Sequence, residues 1–200
     1  SVHVVSLDAR PLEPVLGAEM GDFIRTLHEA HGEVFHMGTS IAAIGAGKVT
    51  LSDGAEIAAD LVIIGVGVRP RLALAEAAGL AVDRGILVND RLETGVPGIF
   101  AAGDVARWPN VPGETARVEH WVVAERQGQV AAENMLGAGI PYRDVPFFWS
   151  EHHEVTVRYA GHAAAWDETV VDGDIAARDC MVSYRKGGRT LAVATIGRDR

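Results

Sequence analysis

The stretch Thr94-Gly95-Val96-Pro97-Gly98-Ile99-Phe100-Ala101-Ala102-Gly103-Asp104 organises the reading of the whole chain. It opens on turn residues, continues as a short apolar strand over residues 99–102, and reaches a glycine that lets another group approach the backbone closely. Asp104 then stands at the carboxyl end of that strand. Open α/β sheets bind ligands at this end, and a carboxylate there accepts hydrogen bonds from sugar-like hydroxyls. By itself, a Gly-Asp pair is more often plain turn chemistry, and the residues alone leave both readings open.

Upstream, Val2, Val4 and Val5 predict a short buried strand, and a second strand is expected near residues 33–37. Between them, Met20, Phe23, Ile24 and Leu27 recur at spacings of three and four, which predicts a helix over 18–31 that Gly32 stops. Residues 41–44, 48–51 and 56–57 read as a β meander, with Gly-Ala-Gly and Ser-Asp-Gly as its turns. The continuous apolar run at 61–66 has the pattern of a parallel strand buried on both faces.

Downstream, a short helix is expected over 72–78, a small strand over 86–88 and a long helix from Arg117 to about Leu136. Val118, Trp121, Val122, Val130 and Met135 are its expected inner face, and Gly137, Gly139 and Pro141 end it. Beyond Val145 the chain reads as all-β, with strands over 155–159, 168–171, 179–184 and 191–196, and Lys186-Gly187-Gly188 as a hairpin turn.

The chain has 200 residues, a hydrophobic content of 48%, one cysteine and a net charge of −9. These values exclude collagen-like, disordered and disulfide-stapled classes. The negative charge argues against nucleic acid or anionic lipid as the main partner, because both need clustered Lys and Arg. No apolar stretch has the length of a membrane span, and no signal peptide is visible, so a cytoplasmic location is expected. Opening on Ser1 rather than Met, the sequence reads as a piece of a longer polypeptide.

Residues 94–104 resemble the carboxyl-proximal FAD motif of the two-dinucleotide-domain flavoprotein reductases, T-x-x-P-x-[IV]-[FY]-A-x-G-D, at every fixed position. Three further stretches carry the same resemblance: Asp60 to Pro70 with Gly65 and Gly67, Glu119-His120-Trp121, and Pro146-Phe147-Phe148-Trp149-Ser150. Together they are similar to the ferredoxin, rubredoxin and putidaredoxin reductases and the apoptosis-inducing-factor-like oxidoreductases of the pyridine nucleotide-disulfide oxidoreductase superfamily.

The resemblance implies an α/β fold: partial dinucleotide-binding domains, with a parallel sheet and a β meander, followed by a small α+β C-terminal reductase domain. It divides the chain into the remainder of an NAD(P)H-binding domain at 1–70, the C-terminal part of an FAD-binding domain at 71–143 and a reductase domain at 144–200. By the same resemblance Gly103, Asp104 and Val105 hold the ribityl and pyrophosphate portion of FAD. Glu119, His120 and Trp121 place a helix start under the flavin pyrimidine, Trp149 approaches the isoalloxazine, and Gly65 and Gly67 give NAD(P)H backbone clearance. A helix N-terminus suits that place, since its free N–H groups and positive dipole end favour the charge of a reduced flavin.

Two motifs are declined. Gly45-Ala46-Gly47-Lys48 has Val49 where a phosphate loop needs Ser or Thr. The histidines at 28, 31, 36, 152 and 153 have no cysteine or carboxylate companions at metal-ligand spacing, so no metal site is expected. Cys180, a lone thiol, can form no internal redox disulfide.

No Gly-x-Gly-x-x-Gly loop is present, and both such loops of the resembling family precede the matched region. The acidic residue that would bind an adenosine ribose falls at about Ser6, which leaves NAD against NADP open, with Asp8 or Arg10 as substitutes. The expected function is part of an oxidoreductase passing electrons from NAD(P)H through FAD to an iron–sulfur protein of ferredoxin or rubredoxin type. No acid, base or nucleophile of the chain is required for that transfer. The alternative is a non-catalytic folded interaction or dimerisation module. Read as a piece lacking the first strands of both nucleotide domains, the chain has unpartnered strand edges, which predict a homo-oligomer.

Overall fold

A computed structural model describes residues 1–111 and 114–198. Strand β1 (His3–Ser6) pairs in parallel with β2 (Val34–Met37), from His3 opposite Val34 to Ser6 opposite Met37. Helix α1 (Glu13–Ala30) connects them, completing a βαβ unit. Leu16, Met20, Ile24 and Leu27 form its buried stripe, as the spacing of the apolar residues demands.

The helix starts earlier than the sequence predicts, after Leu12, and then breaks at Gly17, whose φ of 77° and ψ of 179° are outside the helical region. Only glycine takes that backbone without cost. The Tyr184 hydroxyl donates to the Leu16 carbonyl at 2.8 Å beside the break. From residue 18 onward the helix follows the expectation.

Strands β3 (Ile41–Gly45), β4 (Lys48–Leu51) and β5 (Glu56–Ala58) form the expected antiparallel meander. The run at 61–66 departs from its expectation. It forms no strand, and Leu61, Ile63, Ile64 and Val66 are exposed. An apolar run is buried only if strands flank it, and the β1–β2 sheet contains two strands, neither paired with this run.

Helix α2 (Ala73–Ala77) is followed by β6 (Ile86–Leu87), which runs parallel to β7 (Ala106–Val111). β8 (Glu114–Ala116) returns antiparallel to β7. Residues 99–102, expected as a strand, make a single bridge, Glu93 to Phe100, because the segment pairs with a turn rather than a long neighbour. Helix α3 (Trp121–Met135) starts four residues later than expected. Its buried positions are Val123, Gln127, Ala131 and Asn134, whereas Trp121 and Met135 are exposed. Trp108, Leu92, Ala101, Ala106, Val118 and Val123 make the surrounding core.

The last part is the expected all-β sheet. Its strands are β9 (Phe147–His152), β10 (Val155–Gly161), β11 (Glu168–Asp174), β12 (Asp179–Lys186) and β13 (Arg189–Ile196), in the spatial order β11-β12-β13-β10-β9. Alternate residues face inward, Val155, Val157 and Tyr159 on β10 and Cys180, Val182 and Tyr184 on β12. Gly187 and Gly188, both at positive φ, make the two-residue turn between Lys186 and Arg189.

The chain divides into two compact units. The first comprises Ser1–Val66, Trp149–Arg158 and Ala163–Arg200, and the second Gly67–Phe148 and Tyr159–His162. Among the described residues no helix is long and apolar enough to cross a membrane.

Candidate functional site

The motif at 94–104 builds its site from local hydrogen bonds. The Thr94 hydroxyl donates to the Val96 carbonyl at 3.1 Å and accepts the Val96 N–H at 3.2 Å. The Thr94 N–H donates to the Ile99 carbonyl at 2.8 Å, closing the turn through Pro97 and Gly98. The Ala101 N–H donates to the Leu92 carbonyl at 3.0 Å, so the extended segment is held straight as it enters Gly103.

At Gly103 the chain turns into a short 3-10 segment, Gly103–Val105, with φ at 76°. A Cβ at Gly103 would lie 3.3 Å from the Ala124 Cβ, so the turn sits directly against α3. The Gly103 N–H donates to the Gln127 Oε1 at 2.8 Å in a buried bond. Asp104, next in line, is exposed, and its backbone carbonyl accepts from the Arg117 guanidinium at 2.9 Å. Arg117 also pairs with Glu119 at 2.7 Å, which ties the turn to the residues just before α3.

His120 is the N-cap residue of α3, in extended conformation, and no described side chain caps the helix. The first intrahelical bond joins the Ala124 N–H to the His120 carbonyl. The N–H groups of Trp121, Val122 and Val123 therefore have no partner within the helix, and they lie in the segment that packs on Gly103. The His120 ring meets Phe148 edge-on at 4.8 Å, and Phe148 stacks on Tyr159 at 5.0 Å. Burial holds the His120 imidazole below its ordinary pKa and His162 adds to this, while Asp104 and Glu119 oppose it.

Gly103, Asp104, Val105, Glu119, His120 and Trp121 thus fall together in the second unit. Gly67 belongs to the same unit; Gly65 and Trp149 belong to the first. Trp149 is 46% exposed on β9. Gly65 and Gly67 lie in irregular chain, with open space where a Cβ would stand. Of the two substitutes for a ribose partner, Arg10 has its guanidinium held by Asp22 at 2.7 Å and by Glu13 at 3.0 Å, whereas Asp8 stays exposed.

Sequence reasoning missed Gln127, Arg117 and Gly85. Gln127 is fully buried, four residues after Val123 on the inner face of α3, and a polar residue at that spacing was its only signal. A Cβ on Gly85 would lie 2.9 Å from the Arg117 side chain and 3.0 Å from the Val105 carbonyl, and nothing near it in sequence shows this.

The arrangement fits a flavin dinucleotide on two observations. A tight turn at Gly103, packed on α3, sets an exposed carboxylate beside the start of that helix. Among the described residues, two buried polar atoms at its edge, His120 Nδ1 and Gln127 Nε2, have no hydrogen-bond partner.

The histidines are placed otherwise than the sequence predicts. His28, Glu33 and His153 bring their ligand atoms within 4.8 Å of one another, so a carboxylate companion exists. Glu33 is near His28 in sequence, but the spacing matches no metal motif, and His153 arrives from a distant hairpin.

The pyridine nucleotide-disulphide oxidoreductase model matches residues 1–128, and the reductase C-terminal model matches residues 147–200. The chain is 39% identical to the ferredoxin–NAD(+) reductase component of the anthranilate 1,2-dioxygenase system of Burkholderia cepacia, covering 100% of this chain and 51% of that protein. It is 32% identical to apoptosis-inducing factor 3 of Homo sapiens, over 100% of this chain and 34% of that one. Among solved structures, that of the covalent putidaredoxin reductase–putidaredoxin complex superposes with a TM-score of 0.91 at 33% identity, over 99% of this chain and 49% of the other. The chain spans about half the length of such relatives or less. With more than half of its residues under the family model, the chain belongs to the pyridine nucleotide-disulphide oxidoreductase family.

Proposed function

We propose that this chain is the part of a flavoprotein oxidoreductase that grips FAD at Gly103–Val105 and at the start of α3. The natural polypeptide carrying it would pass electrons from NAD(P)H to an iron–sulfur protein of the ferredoxin or rubredoxin type. One observation carries the reading: a glycine at φ 76° packed on α3, with an exposed aspartate beside it, next to a helix start whose first three N–H groups make no bond within the helix. FAD supplies the redox chemistry when bound, accepting a hydride equivalent and releasing electrons.

The residues supply binding and charge. The Asp104 carboxylate accepts hydrogen bonds from the sugar-alcohol hydroxyls. Glycine at 103 lets the turn pack closely on α3, so that the backbone after Asp104 can face the pyrophosphate, and Gln127 holds that turn in place. The α3 N–H groups and helix dipole favour negative charge placed against them, by about 0.3–1 kcal/mol. His120, whose pKa burial lowers, retains among the described residues an unpartnered ring nitrogen available for hydrogen bonding. Glu119, paired with Arg117, holds the helix start, Trp121 and Trp149 offer aromatic faces, and Gly65 and Gly67 leave room for the nicotinamide nucleotide. We favour NADH over NADPH, because the guanidinium of Arg10 is already engaged by two carboxylates.

We retain the division at 1–70, 71–143 and 144–200, a cytoplasmic location, a homo-oligomeric assembly and no role for nucleic acid or membrane. The exposed apolar residues between Leu61 and Val66 favour the second reading, a folded interaction or dimerisation module, and they support self-association under either reading.

The test is reconstitution of the natural polypeptide carrying this chain with FAD. The expected result is a yellow protein near one flavin per chain that oxidises NADH with a ferredoxin-type acceptor, and an Asp104→Ala variant that keeps its fold and loses most of its flavin. A colourless, folded wild type overturns the flavin reading and leaves the module. Light scattering showing only monomer removes the assembly.

A further inference from the structure

The first unit holds a cluster of side chains for which the flavin site has no use. His28 lies in the last turns of α1, Glu33 just before β2, and His152 and His153 at the turn between β9 and β10. Each oxygen of the Glu33 carboxylate faces an imidazole nitrogen, Oε2 toward His28 Nδ1 and Oε1 toward His153 Nε2 at 3.1 Å. Side-chain exposure is 17% at Glu33, 20% at His28 and 29% at His153.

A carboxylate flanked by two ring nitrogens is held either by ring N–H groups donating to it or by a cation that all three groups share. Charging both rings, His28 and His153, which lie 4.8 Å apart, would make them repel. One divalent cation balances the carboxylate and leaves both rings neutral. The second nitrogen of His28, Nε2, lies 2.9 Å from His152 Nδ1. When His28 Nε2–H donates to His152 Nδ1, the lone pair of His28 Nδ1 points at Glu33. A histidine that ligates through one nitrogen and donates from the other is the usual pattern around protein-bound metals. His31 stacks flat on His153 at 3.7 Å and turns its nitrogens to the Leu27 carbonyl and Glu154, so it orients His153 without adding a ligand.

We propose that His28 Nδ1, the Glu33 carboxylate and His153 Nε2 form a site for a divalent transition-metal cation of the zinc type. Two imidazoles and one carboxylate are a donor set for Zn²⁺, with water in the fourth position. Tetrahedral zinc with its usual bond lengths separates its ligand atoms by about 3.3 Å. The donor atoms here all lie within 4.8 Å of one another, so small side-chain rotations reach that geometry. The ion would clamp the end of α1 and the start of β2 to the β9–β10 turn.

The test uses the full 200-residue chain without a polyhistidine tag. After dialysis against Zn²⁺, elemental analysis is expected to find about one tightly held ion per chain. Co²⁺ in its place should give visible ligand-field bands. Glu33→Gln and His153→Asn should each weaken Zn²⁺ binding by more than about tenfold, the loss that even an outer-sphere partner costs. His36→Asn should change nothing, although His3 and His36 form a second imidazole pair with nitrogens 3.0 Å apart. The proposal is overturned if the wild type retains no ion, or if His36→Asn and not His153→Asn removes it. Should Glu33→Gln fail to fold by circular dichroism, His153→Asn decides the question, since it alters a surface turn.

Discussion

The buried carboxamide of Gln127 accepts the Gly103 N–H at 2.8 Å and so joins the turn carrying Asp104 to the middle of α3. The bond spans 24 positions and fixes where a backbone at positive φ meets a helix start. Replacing Gln127 with Met keeps the volume and leaves the Gly103 N–H unpaired. That should cost about 1–3 kcal/mol, read from the urea midpoint, and flavin affinity should fall with it. A stability equal to wild type would show the bond to be replaceable.

Gly85 is expected to tolerate no side chain. An alanine methyl there would stand 3.0 Å from the Val105 carbonyl and 2.9 Å from the Arg117 side chain. Arg117 can give way, but the carbonyl belongs to the site turn. Gly85→Ala should lower stability by about 1–3 kcal/mol, as overpacked sites do, and should shift the turn that follows Gly103. Thermal unfolding together with flavin titration reads both effects, and an unchanged midpoint would show that the β6 region yields freely.

Tyr142 offers the opposite case. It is 4% exposed, its ring meets Trp108 edge-on at 5.7 Å, and its hydroxyl has no partner among the described residues. Burial pushes the phenol pKa up to about 12, so the group stays neutral. Tyr142→Phe keeps the ring and removes the unsatisfied oxygen, so stability should be unchanged or higher by up to about 1 kcal/mol. A clear loss by denaturant titration would reveal a hydrogen bond made in solution.

Acid should weaken the second unit through His120 and His162. Burial is the first cause holding both imidazoles below the ordinary 6.5. Below that value the unfolded chain binds protons that the folded chain refuses, so stability falls as pH drops from about 7 toward 5, and is flat above. Asparagine at position 120 is a favourable N-cap residue for α3. His120→Asn should therefore reduce the slope of the urea midpoint against pH, whatever it does to the level at pH 7. An identical slope would place the ring in contact with water.

Elements governed by near neighbours were legible in the residues. The α1 stripe, the meander, the Lys186–Arg189 turn and the Thr94–Asp104 motif each depend on spacing or turn chemistry within about a dozen positions, and each is found. Family membership was legible for the same reason, because its motifs are contiguous.

Burial and side-chain convergence were decided only in three dimensions. The run at 61–66 has the composition of a buried strand and lies exposed, since burial depends on flanking strands that composition does not specify. Gln127 looks like any helix glutamine until packing brings Gly103 over it. His28 and Glu33 meet His153 across more than a hundred positions, because the β9–β10 turn comes to rest beside the end of α1. Local backbone preference is written residue by residue, whereas the meeting of remote side chains is settled by how whole elements pack.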